Sequence, residues 1–187
     1  MCSSNENRKN KNGNNNSNIN DRLLNQNSSS KRHVIPRGNE LILSRVISGL
    51  DKRTTFMIRN IPNKYTQQML IDTINDTHFG QFDFLYLRMD FKNRCNVGYA
   101  FINFVDIKAV ISFAEKVVGK KWTRFNSDKI CTLSYANIQG RESLIEKFKN
   151  SSVMLEDPSY RPKIFYTSGE LKGQEEPVSI ISISNRL

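Results

Sequence analysis

The apolar positions of this chain change period along its length, and each change marks an element. Residues 54–61, TTFMIRNI, are β-branched and aromatic and run into Pro62, the pattern of a strand. Residues 66–78 switch to a helical spacing, with Met69, Leu70, Thr73 and Ile74 on one side and Gly80 beyond as a stop. FDFLYLRMD (82–90) returns to strand composition, KNRCN (92–96) is a polar, basic loop, and VGYAFINF (97–104) is a third strand. Asp106 stands where an N-cap belongs, ahead of a helix over 107–118 with Val110, Phe113, Ala114 and Val117 inward. KICTLSYA (129–136) is a fourth strand. The order β-α-β-β-α-β predicts an α+β, ferredoxin-like domain: a four-stranded antiparallel sheet with helices on one face and the other face open. An extra C-terminal helix follows at 141–149, RESLIEKFK, with Leu144, Ile145 and Phe148 as its stripe.

The flanks read differently. Residues 1–30 hold eleven Asn and six Ser, too little apolar surface to offset ordering entropy, so a disordered Asn-rich arm is expected over 1–38. Residues 39–53 are expected to form a short leading helix, with Asn39 as N-cap, Gly49 as stop, and Leu41, Ile42, Val46 and Leu50 sharing a stripe. The domain with its extra helix spans 54–150. Residues 151–166 make a strap that extends it, and 167–187 a tail in which VSIISI has strand composition.

Alternation along the third strand puts Val97, Tyr99, Phe101 and Asn103 on one face and Gly98, Ala100, Ile102 and Phe104 on the other. The second set suits a helix-packed face, which leaves Tyr99 and Phe101 on the open one. An RNA recognition motif (RRM) carries K/R-G-F/Y-G/A-F-V-x-F/Y on this strand. Residues 97–104 follow it, with Ile102 standing for the valine and Val97 departing from the basic first position. Exposed aromatics in this pattern serve as base-stacking platforms. The competing reading is that a terminal extension or a partner protein covers both rings. In the first strand Phe56 and Ile58 face the core, while Met57 and Arg59 face outward. Met57 stands where many RRMs have an aromatic. In the second strand Leu85, Leu87 and Met89 fit the core. Phe84, Tyr86 and Arg88 then look outward, although both faces are apolar. In the fourth strand Cys131, Leu133 and Tyr135 are inward; Thr132, Ser134 and Ala136 are outward, and Asn137 lies within reach of a base edge. Lys92 and Arg94, in the loop between the central strands, are placed either to neutralise phosphates or to form a solvated hairpin. Lys64, Lys120, Lys121 and Arg124 form a second basic group. Trp122 among them either plugs the core edge or stacks on RNA.

Charge changes the picture by pointing to an anionic partner. The formal net charge is +10, divided as +6 over 1–53, +5 over 54–150 and −1 over 151–187. Cys2, Cys95 and Cys131 form no CxxC pair, and only His33 and His78 are available beside them, so neither a zinc site nor a disulfide framework is expected. Reduced thiols fit nucleus or cytoplasm. A transmembrane run and a secretory h-region are not found. P-loop, HExxH and GxSxG motifs are absent, so neither an enzyme nor a cofactor is expected.

TTFMIRNIPNKYTQQML, YLRMDFKNRCNVGYAFINF, KICTLSYANIQGRESLIEKF and YRPKIF together resemble the C-terminal RRM of the Mei-two-like RNA-binding proteins, meiosis regulators of fungi and plants. The resemblance covers about residues 54–166, and the family shares Met57 and Val97. It implies that NIQG (137–140), the helix after it and the strap to Phe165 belong to the domain. It also implies single-stranded RNA as partner, bound through Tyr99, Phe101, Met57, Arg59, Tyr86, Arg88, Lys92, Arg94, Asn103 and Asn137. A role in meiotic or developmental regulation goes with the family, whose members are larger and carry additional N-terminal RRMs. The alternative is an RRM-like protein-interaction domain that docks a peptide through its helical face or its C-terminal extension.

Overall fold

The computed structural model describes residues 38–177. The expected N-terminal arm and the VSIISI segment lie outside the described residues, apart from the last residue of the arm. Strand β1 (Thr55–Arg59) is followed by helix α2 (Gln67–His78), strands β2 (Phe82–Asp90) and β3 (Cys95–Phe104), helix α3 (Ile107–Val117) and strand β4 (Thr132–Tyr135). A short helix α1 (Leu43–Ile47) precedes them. Helix α4 (Arg141–Lys149) and two short strands, β5 (Lys163–Phe165) and β6 (Glu175–Glu176), follow. The sheet order is β4-β1-β3-β2-β5-β6, with antiparallel pairing throughout. The four-stranded ferredoxin-like core therefore holds, and the C-terminal extension lengthens the sheet beyond β2.

Local chemistry explains the helix starts. Thr66 accepts a hydrogen bond from the Met69 N–H (3.2 Å), and Asp106 accepts one from the Ala109 N–H (2.8 Å), each satisfying an orphan donor. Helices α2 and α3 bury Leu70, Ile71, Ile74, Val110 and Phe113 against Phe56, Ile58, Leu85, Leu87, Ala100 and Ile102 of the sheet. The outward and inward sets of β2 are those the alternation predicts. Trp122 is buried beside Tyr65, ring centroids 5.4 Å apart, so it plugs the core edge.

Two flanks differ from expectation. Asn39 does not cap a helix: its carbonyl accepts from Tyr135 N–H, its amide donates to Asn137 Oδ1 (2.9 Å), and Glu40 bridges to Ser134. The backbone there is satisfied by the edge of β4, so the helix begins later and is shorter. Only Val46 of its stripe is fully buried, while Ile42 and Leu50 are exposed. Residues expected to be tail turn back after β5, and β6 pairs with it, held by Lys163–Glu175 and Arg141–Glu176 ion pairs of 2.6 Å each.

The face opposite α2 and α3 is not fully open. Leu144 of α4, with Val153 and Met154 just after it, buries Phe84 and Tyr86 in a second apolar cluster. Phe148 is its centre, with ring centroids 5.8 Å from Phe84, 4.8 Å from Tyr86 and 6.1 Å from Phe101.

Candidate nucleic-acid interface

The strip that α4 leaves uncovered is built from β1 and β3. Register pairs Tyr99 with Arg59 and Phe101 with Met57, and all four are partly exposed. Tyr99 and Phe101 meet edge to face, centroids 6.0 Å apart. Beside them β3 bulges. Leu87 opposes Ala100 and Met89 opposes Asn96, so Arg88 alone faces Val97, Gly98 and Tyr99. Gly98 absorbs this at φ +95°, a conformation that suits glycine. Asn96, almost fully buried, fixes the bulge: its amide donates to Pro62 O (2.8 Å) and Tyr65 O (2.9 Å), and its Oδ1 accepts from Gly98 N–H (2.8 Å). The sequence reading placed Asn96 in a polar loop and missed this role. The pairing of a glycine with an asparagine two residues before it was the available signal.

The other expected contacts divide. Arg88, Lys92 and Arg94 are exposed. Lys92 and Arg94 occupy a turn that Asp90 organises by accepting from the Lys92 and Asn93 N–H groups. Asn137 is exposed, but its Oδ1 is taken by Asn39. Two placements are corrected. Tyr86 points to the expected face yet is covered by Phe148, and burial raises its phenol pKa. Asn103 is 4% exposed and fully engaged on its oxygen and one amide hydrogen. Its Oδ1 accepts from Thr54 Oγ1 (3.0 Å) and Thr55 Oγ1 (2.7 Å), and its Nδ2 donates to Asp83 Oδ1 (2.8 Å). This network continues into the NIQG segment: Thr55 Oγ1 accepts from Gly140 N–H (2.7 Å), and Gln139 bonds both backbone groups of Thr55. Asn103 therefore anchors the start of α4. Its oxygen and one amide hydrogen are spent on the protein, and with Tyr86 it lies beneath the extension.

Among the described residues no group of three His, Cys, Asp or Glu is placed to hold a metal ion, and no helix is long and apolar enough to cross a membrane.

A β-α-β-β-α-β sheet that presents aromatics side by side on its central strand defines a domain of the RNA-recognition-motif class. The sequence profile described as RNA recognition motif 2 matches residues 53–149. The chain is 56% identical to meiosis protein mei2 of Schizosaccharomyces pombe over 147 residues, covering 79% of this chain and 20% of that protein. It is 49% identical to protein MEI2-like 1 of Arabidopsis thaliana over 152 residues, covering 81% of this chain and 17% of the relative. The chain belongs to the RNA recognition motif 2 family, among the Mei2-like proteins. It spans about a fifth of the length of these relatives. An Rna15 RRM structure with bound RNA (GU) overlays at TM-score 0.40 and 18% identity, covering 50% of this chain and 93% of that one, too loosely to argue from.

Proposed function

We propose that this domain binds single-stranded RNA across the β1–β3 strip, with Tyr99 as the principal stacking plane. The observation that carries the reading is Tyr99 itself, a large aromatic left partly exposed by a glycine bulge, with Arg59 opposite it and Arg88 across the next strand pair. A base needs a flat π-face and a phosphate needs a cation beside it, and this strip supplies both. Phe101 contributes a second, partly exposed ring, and Met57 an apolar floor. Lys92 and Arg94 lie at the end of the same strands and neutralise phosphates.

Because α4 covers Phe84 and Tyr86, the platform is narrower than a bare four-stranded sheet would offer. The chain supports a role in meiotic or developmental RNA regulation by its family membership, and action in the nucleus or cytoplasm accords with an RNA ligand. A peptide-docking role on the helical face is supported by no comparable observation.

Tyr99→Ala is the direct test, since Phe101 also packs on Phe148 and its removal would disturb α4. Loss of one stacking plane is worth roughly 1–3 kcal/mol, about five- to 150-fold in affinity. Ultraviolet crosslinking and fluorescence anisotropy with single-stranded RNA should show that loss with unchanged thermal unfolding. Unaltered RNA affinity in this variant would refute the assignment.

A further inference from the structure

Off the sheet, a cleft of about 410 Å³ opens where the β1–α2 loop, the β2–β3 turn and the strap converge. Lys64 and Arg94 stand on two of these segments, and Tyr160 on the third. Both cations are exposed, and among the described residues neither has a hydrogen bond or ion pair from its side chain. Among the described residues no carboxylate lines the cleft. Arg94 sits at φ +53°, a left-handed conformation, so the turn holds a long cationic side chain at a backbone position that favours Gly or Asn. Thr66 caps α2 on the cleft wall, and the first turn of α2 carries no acidic residue, so the helix dipole adds to the positive field.

The aromatic wall is held rigidly. The buried Gln67 accepts from the Leu87 N–H through Oε1 and donates through Nε2 to Ser159 O (3.1 Å) and Arg161 O (2.7 Å). These bonds bracket Tyr160, whose ring also meets Phe91 edge to face at 5.6 Å. The volume suits a single nucleotide. Cys95 lines the cleft and opens β3, four residues before Tyr99, so at ~3.3 Å per residue the two are no more than about 13 Å apart, and the bulge between them brings them closer. An RNA strand leaving Tyr99 toward the β2–β3 turn therefore arrives at this cleft.

The geometry points to a second nucleotide subsite here, outside the sheet face, with a 5′-phosphate between Lys64 and Arg94 and the base against Tyr160. It rests on the RNA-binding reading above, and the test separates the two. In the full chain labelled with ¹⁵N, uridine 5′-monophosphate should shift the amide signals of Lys64, Tyr65, Thr66, Arg94 and Tyr160. Uridine should do so at least tenfold more weakly, and so should inorganic phosphate. The exposed double variant Lys64→Gln with Arg94→Gln should lose the shifts, and Tyr99→Ala should keep them. With a randomised 12-nucleotide RNA pool, the double variant should bind about tenfold more weakly by anisotropy. If phosphate alone reproduces the shifts, the cleft is an adventitious anion site and the proposal fails. If the pool binds and Tyr99→Ala weakens it, while the double variant and Tyr160→Ala do not, the subsite fails and the RNA reading stands. If the pool does not bind the parent chain, the RNA reading fails and the subsite fails with it.

Discussion

At the scale of single residues, the stacking position depends on a glycine in the backbone beside it. Gly98 holds φ +95° where three residues of β3 face one of β2, and its N–H is tied to Asn96. Gly98→Ala is expected to cost about 1–2 kcal/mol, from the penalty of a left-handed conformation, and to weaken RNA binding by displacing Tyr99. Urea unfolding and anisotropy on the same variant measure both. His78 sets a pH limit. Its ring is fully buried between α2 and α3, with Nδ1 2.7 Å from Thr77 Oγ1 and Nε2 3.2 Å from Ser112 Oγ. Burial, then the Lys116 charge, lowers its pKa from the ordinary 6.5. The unfolded chain thus takes up the proton more readily, so stability is full above 6.5 and falls as pH drops below it. Thermal unfolding followed from pH 7.5 down to 5 should show that loss, and His78→Gln should flatten it.

At the scale of elements, α4 is the decisive addition. Phe148 joins Phe84, Tyr86 and Phe101 into one cluster, and the Thr55–Gln139–Gly140 bonds and the β5–β2 pairing hold the helix from both sides. α4 is therefore a fixed wall on the sheet. Phe148→Ala is expected to destabilise by roughly 2–3 kcal/mol, below the ~3–5 typical of a fully buried phenylalanine because the ring is only partly enclosed. Thermal unfolding measures that cost, and faster hydrogen exchange confined to the α4 amides would locate it. The helix stripe of Leu144, Ile145 and Phe148 was legible in sequence. The surface it packs against was not, because a helical period says which side is apolar and not what it meets.

At the scale of the whole molecule, the described domain presents cations at one end of the sheet. Arg59 and Arg88 border the strip, and Lys92, Arg94 and Lys64 gather around the turn beyond it. Lys64 lines the cleft at the β2–β3 turn together with Arg94. Each phosphate contact to a single strand contributes about −0.7 to the slope of log K against log salt. Lys92→Gln should lower that slope by about 0.7, with stability unchanged, as read from anisotropy at several salt concentrations.

The order of the core elements, the Asp106 cap and the face of each strand residue follow from sequence alone, whereas Asn39 caps no helix. Period-two alternation and N-cap chemistry act over a few residues, so Tyr99, Phe101, Met57 and Arg59 fall on one face whatever lies further along the chain. How much of that face stays open was decided only in three dimensions. Asn103, Tyr86 and Phe84 alternate correctly but are closed off by residues some forty to sixty positions away. Tyr99 stays open because Phe148 reaches Phe101 and the described extension packs no further along β3, a limit set by long-range packing that no local pattern encodes.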